Sequence, residues 1–291
     1  VKALTARRPA RALAAAALPV LLAASLGATR APTHDDRMPS PSPMPDAHTI
    51  MVRADEALHY AGHDMRAWVR MELGSGETAT RFRTMTMLRW NAAPGGEQRY
   101  LLYFHQPGDA RRMSCMVYKH VGTADERWMY VPVMGHVQRV QSPDRSSFLG
   151  SDFVREEFSG RDVDADTHRL VGRERLNERD CYVVESVPRK PEEFARCLSW
   201  IDAERYLPLK QEFWNHRGVL TRVLTYTRVD TYPSRSEPRT NHPCAREWTA
   251  RNMISRHWTR IELDSIAYDI GLKESDFVQS RLLVQPGDWL P

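Results

Sequence analysis

Few residues in this chain have types and spacing that could do chemistry. His59 and His63 stand four apart, a spacing that would put two imidazoles on one helix face toward a zinc ion. The glutamate that an HExxH site uses as general base is missing, and Gly62 ends the helix before His63. Both histidines therefore read as surface residues. Gly74-Ser75-Gly76 and Gly150-Ser151-Asp152 place a serine beside glycine, but neither has the G-x-S-x-G form of a nucleophile elbow. The first reads as a hairpin turn and the second as a helix entry. Asp152 and Glu156 could be paired carboxylates, yet capping and dipole matching at a helix N-terminus account for both. No Cys-x-x-Cys pair or phosphate-cradling glycine loop occurs. The expectation is a protein with no catalytic residues, no metal and no cofactor.

Four cysteines remain: Cys115, Cys181, Cys197 and Cys244. Cys181 and Cys197 flank a turn around Arg189-Lys190-Pro191. A hairpin register that pairs Val183 with Ala195 and Val187 with Pro191 sets them face to face. That register predicts a Cys181–Cys197 disulfide, with Cys115 and Cys244 left as candidates for a second pair. The alternative is separate buried thiols.

The elements that would position these residues are mostly strands. Residues 1–28 have the form of a cleavable secretory signal: Lys2, Arg7, Arg8 and Arg11 precede an Ala/Leu-rich run ending in small residues. With no cysteine before Cys115, no bacterial-type N-terminal lipid anchor is expected. The chain holds 41 basic and 37 acidic residues. Those four cations lie in the signal, which has no acid, so the remainder is balanced and offers no case for nucleic acid. Residues 29–47 are rich in proline and polar groups, a flexible leader. Asp46 then caps a helix over 48–61.

Alternating apolar residues predict strands at 67–73, 80–90, 99–105, 113–119, 128–131 and 136–140. Further strands are expected at 167–175, 180–187, 195–202, 207–214, 218–229 and 257–268. The apolar spacing of Leu149 with Phe153 and of Val154 with Phe158 predicts a helix over 148–158, with Asp152 able to cap it. Pro233, Pro238 and Pro243 predict a loop or ragged edge over 231–247. Residues 272–282 read as a short closing helix or turn, and 286–291 as a tail. The pattern is a mainly antiparallel meander, either closed into a barrel or strongly curved with helices as a lid.

Three stretches carry a family resemblance. W-x-Y-x-P from Trp128 leads into F-x-G-S-D-F from Phe148 to Phe153. Trp200-Ile201-Asp202 is followed by Leu207-Pro208-Leu209-Lys210-Gln211-Glu212-Phe213. Tyr268-Asp269-Ile270-Gly271-Leu272 precedes Phe277 and Arg281. Together they resemble the periplasmic outer-membrane lipoprotein-sorting proteins, relatives of LolA and LolB. The resemblance implies an α+β fold: a strongly curved antiparallel sheet, an incomplete β-barrel, with helices covering its concave face in one domain over 48–285.

It also implies function: a periplasmic, non-enzymatic carrier that holds the acyl chains of a lipid or lipoprotein in an apolar cavity. An inner-membrane transporter of RND type is the implied partner. A periplasmic sensor of envelope stress using the same lipid-binding domain is the alternative. Twelve methionines and eight tryptophans sit mostly in the strands, and flexible thioethers suit a surface that adapts to varied chains. With the 148–158 helix as lid, the expected cavity lining is Met85, Met87, Leu102, Phe104, Met116 and Tyr130 from the sheet and Phe148, Leu149 and Phe153 from the lid. Arg161 reads as an exposed surface residue.

Overall fold

The computed structural model describes residues 44–108, 110–141, 147–285 and 287–289. The signal segment and residues 29–43 of the leader lie outside the described residues. Helix α1, Ala47–His59, starts where Asp46 accepts hydrogen bonds from the Thr49 amide (2.9 Å) and hydroxyl (2.8 Å). Six strands follow: β1 (Asp64–Ser75), β2 (Thr78–Asn91), β3 (Gln98–Gln106), β4 (Ser114–Lys119), β5 (Glu126–Tyr130) and β6 (Val137–Arg139). After a long crossing come β7 (Asp166–Leu176), β8 (Arg179–Pro188), β9 (Arg196–Asp202), β10 (Pro208–Trp214), β11 (Leu220–Pro233), β12 (Asn241–Asn252) and β13 (His257–Tyr268).

All thirteen belong to one sheet, in the order β6-β5-β4-β3-β2-β1-β13-β12-β11-β10-β9-β8-β7. Every neighbouring pair is antiparallel, the short-turn meander that the spacing of apolar runs predicts. The second half behaves likewise, and β13 closes back onto β1. β6 and β7 are the two edges, so the sheet is open. The chain thus enters at the centre, works out to one edge, and must cross to the other before it can work back. The link from β6 to β7 includes the described residues 147–165, which we call the strap.

Parity within the strands gives two faces. On the strap face, Ala67, Val69 and Met71 of β1 pack with Met85 and Met87 of β2 and Leu102 and Phe104 of β3. Phe213, Leu224, Trp248, Ile261 and Leu263 continue that layer across β10 to β13. Ile50 and Ala54 of α1 pack on Tyr182, Val184 and Ile201 of β8 and β9. On the back face Leu88, Leu101, Tyr103, Met116 and Trp128 are covered by Leu272, Phe277 and Leu282. β3 is therefore buried on both sides, as its apolar YLLYF core requires.

The Tyr268–Leu272 stretch is what turns the chain onto the back face. The buried Asp64 carboxylate accepts the amides of Ile270 (2.8 Å), Gly271 (3.0 Å) and Leu272 (3.1 Å). Beyond it, Ser114 Oγ donates to the Leu282 carbonyl at 2.7 Å. In the tail, 287–289 form a 3-10 turn whose Trp289 packs on the back-face cluster.

Three expectations fail, each for a physical reason. The 148–158 segment is not a helix; only α2, Glu156–Ser159, is helical, and Asp152 does not cap it. Leu149 and Gly150 sit at φ 54° and 74°, and an antiparallel bridge joins Ser147 to Val154. The i, i+4 apolar pattern comes from burial against the sheet, not from helical winding. Within residues 231–247 only 234–240 form a turn; 231–233 close β11 and 241–247 open β12. β12 pairs with β13 only from Glu247 onward, so Pro243 lies where the second neighbour is missing and its absent N–H breaks no ladder on that side.

The third failure is the disulfide. In the β8–β9 hairpin Cys197 faces Ser186 and Cys181 faces Asp202, five residues from the expected register. An odd offset sends the two cysteines to opposite faces: Cys197 to the strap-face cluster, Cys181 to a back-face cluster with Val183, Trp200 and Leu209. All four cysteines, Cys115 and Cys244 included, are free and buried. Burial pushes the thiols of Cys115 and Cys197 up to about 12 and that of Cys181 to about 11, and raises Cys244. Protonated, buried thiols are inert. Titration with a thiol reagent at neutral pH should find none reacting in the folded protein, and four after unfolding without reductant; only two after unfolding would contradict this register.

Candidate ligand-binding site

The strap lies over the apolar face, held by polar groups at both ends. At its start, the Asp152 amide donates to Thr259 Oγ1 (2.9 Å), while its carboxylate accepts from that hydroxyl (2.8 Å) and pairs with His257 Nδ1 (2.7 Å). A carboxylate beside histidine and threonine invites comparison with a catalytic triad. Here the hydroxyl is bonded to the carboxylate and not to the imidazole, so the three groups do not have the nucleophile–imidazole–carboxylate order of a triad. The group is an anchor.

Further along, Glu157 caps the Val154 amide at 2.9 Å and pairs with Arg222 of β11. The two side chains are only 9% and 14% exposed. Arg222 also lies 4.4 Å over the Phe213 ring. The strap then meets the C-terminal end of α1. His59 Nδ1 pairs with Asp55 at 2.8 Å, and its Nε2 lies 3.3 Å from the Glu157 carbonyl. His59 is thus 8% exposed and holds the strap, contrary to its reading as a surface histidine.

Lys119 donates to the Ser159 carbonyl and to the Tyr60 hydroxyl, and burial lowers its pKa against the opposing pull of Asp55 and other acids. Gly160 closes the contact at φ 83°. A Cβ there would sit 2.6 Å from Asp55 Oδ1 and 3.0 Å from Lys119 Nζ, so both space and conformation call for glycine. Arg161 is not a free surface residue. It pairs with Asp166 (2.9 Å), Glu156 (3.3 Å) and Glu192 (3.3 Å), which raise its pKa although burial opposes them.

Between these anchors the strap drives aromatic rings into the sheet. Phe158 lies 4.3 Å from Phe148, 5.5 Å from Phe153 and 6.1 Å from Trp248, centroid to centroid. Three small cavities lie under and beside the strap, and Phe158 lines two of them. The first, about 110 Å³, lies under α1 beside Leu58, Phe194, Cys197, Phe213 and Tyr226, with a polar rim of Asp55, His59 and Arg161. The second, about 30 Å³, is bounded by Met87, Arg89, Trp248 and Phe158. The third, about 50 Å³, is bounded by Met85, Met87, Leu102, Phe148 and Phe158. The last two share Val69, Met87, Tyr100 and Phe158, which together form the wall between them. Pockets that hold drug-sized ligands run to about 300–1,000 Å³.

The residues expected to line a cavity divide by face. Met85, Met87, Leu102, Phe104, Phe148 and Phe153 share the strap-face cluster, with Leu149 packed against it. Met116 and Tyr130 belong to the back face, packed with Leu101 and Trp128. The error is one of parity: β4 and β5 turn Cys115, Val117 and Met129 toward the strap. The anchors Asp152, Glu157, Lys119 and Arg222 were missed. Only Asp152 stands in a motif, and a carboxylate between glycine-serine and phenylalanine reads equally well as a cap.

A family model described only as that of an uncharacterized protein matches residues 96–283. Among solved structures, a Vibrio parahaemolyticus domain named for outer membrane lipoprotein sorting is similar at TM-score 0.71 and 23% identity, covering 81% of this chain and 98% of that one. The chain belongs to the family of the matching model, which spans more than half of it. A DUF1329 family protein from Desulfovibrio piger aligns at TM-score 0.69 and 21% identity over 81% and 97% of the two chains. A LolA superfamily protein from Nitrosomonas europaea aligns at TM-score 0.58 and 16% identity over 81% and 99%. No curated protein matches. At these identities the solved structures establish the LolA-like fold.

The anchoring account makes a stability prediction. Arg222→Met removes the guanidinium from a nearly buried carboxylate and should cost roughly 3 kcal/mol in urea unfolding. Arg169→Ala, which breaks an exposed pair with Glu185, should stay within about 0.5 kcal/mol. Equal effects would show that the strap is not held by the Glu157–Arg222 pair.

Proposed function

We propose that this protein is a non-enzymatic periplasmic carrier that binds the acyl chains of a lipid or lipoprotein between the strap and the sheet. The observation that carries the reading is Phe158. Its ring forms part of the wall between two largely apolar cavities on a methionine-lined face, and the strap that bears it is tied to the sheet by polar contacts at its ends. A phenyl ring in that place stands where a hydrocarbon chain would lie. Moving it joins the cavities beside Met85 and Met87, whose flexible thioethers can follow the contour of different chains. The LolA-like fold supports the same reading.

Binding here needs no covalent step. Cargo would exchange strap–sheet contacts for chain–sheet contacts, leaving the net gain small and the cargo releasable to the next envelope component. An inner-membrane transporter of RND type is the proposed donor or acceptor.

Two substitutions test the site with an uncharged apolar fluorophore. Phe158→Ala should raise its affinity while costing about 3 kcal/mol of stability, because the vacated space is the binding space. Met87→Trp should weaken it with the fold intact, because the added volume fills the shared wall. If both variants bind the fluorophore as the parent does, the acyl-chain site lies elsewhere.

A further inference from the structure

Arg89 does not fit a purely apolar trough. It follows Met85 and Met87 on the same face of β2, is 3% exposed, and helps bound the second cavity. Its Nη2 donates to the Ala61 carbonyl just past the end of α1, while its buried Nε has no hydrogen-bond partner. Among the described residues no carboxylate lies within 4.0 Å of its guanidinium nitrogens. The ionisable groups that feel its charge are Tyr60, Tyr100, Tyr268 and Cys244, all of which burial raises and so keeps neutral. The α1 terminus supplies only about half a negative charge. A buried cation with an unused donor facing no anion is costly unless something else pairs with it.

We propose that Arg89 anchors the anionic end of a single-chain amphiphile whose tail runs past Phe158 into the cavity beside Met85 and Leu102. A carboxylate or phosphate takes the guanidinium's donors in a charge-assisted pair. The shared wall of Val69, Met87, Tyr100 and Phe158 then leads the tail from the second cavity into the third. Of the two arginines at the far cavity, Arg127 already holds Asp125 at 2.9 Å and Arg155 is also engaged, which leaves the Arg89 end for the head group. The inference rests on the acyl-chain reading and adds to it the charge of the cargo.

The test compares hexadecanoate, hexadecanol and a lysophosphatidate of the same tail by calorimetry at mildly alkaline pH. The full chain should bind hexadecanoate at least about tenfold more tightly than the alcohol. Arg89→Met should abolish that ratio while leaving the alcohol within about threefold, and Arg89→Lys should keep part of it. Lysophosphatidate binding more tightly than hexadecanoate identifies a phosphate head group, and the reverse a free carboxylate. Equal affinity for acid and alcohol, or a preference that survives Arg89→Met, overturns the anchor and leaves the carrier reading standing. Binding of none of the three overturns both. Should Arg89→Met fail to fold, the acid-to-alcohol ratio of the unaltered chain still decides.

Discussion

The crossing from β6 to β7 is the constraint on which this structure depends. A meander that starts at the centre of a thirteen-stranded sheet reaches one edge with half its strands still to build. At about 4.8 Å per strand a flat sheet of that size would be about 60 Å wide. The link must span the sheet, and its backbone must cross the apolar layer with its polar groups satisfied. The strap meets both demands. Its short bridge from Ser147 to Val154 and the single turn of α2 satisfy part of the backbone internally. Thr259, Lys119 and His59 take up other polar groups.

From that constraint follows the division of labour between residue types. Charged and hydroxyl groups sit where the strap touches down, and aromatic rings sit between. Removing a ring leaves an apolar space; removing an anchor leaves a polar group without its partner. A segment built this way is tied to the sheet at polar points and packed on it by rings between them. Gly160 shows how close the touch-down is, since the smallest side chain would strike Asp55 and Lys119.

Most strands were legible in the sequence because alternation survives wherever one face meets a core. β7 to β10 and β13 fall within a residue or two of their expected ends. The features that were not legible depend on partners distant in sequence. Pro243 reads as a breaker until β13 is seen to stop at its pairing with Glu247. Cys181 and Cys197 read as facing until the hairpin register is known. The strap imitates a helix because Leu149 and Phe153, and likewise Val154 and Phe158, stand four apart and are drawn inward by burial. Met116 and Tyr130 differ from true strap-face residues by a single step of parity, which no local pattern fixes. Arg89 gave no sequence signal at all, since one arginine in a strand also containing Arg81 and Arg83 looks ordinary until its burial is known.

The central claim is that the space beneath the strap belongs to an acyl chain. Native mass spectrometry of protein purified from its own envelope, with extraction of the bound material, tests this most directly. The account predicts a folded species heavier than the polypeptide by one acyl-bearing molecule, which organic extraction removes and identifies. A folded species at the bare polypeptide mass, yielding no lipid and taking up none when offered fatty acid or phospholipid, would contradict it.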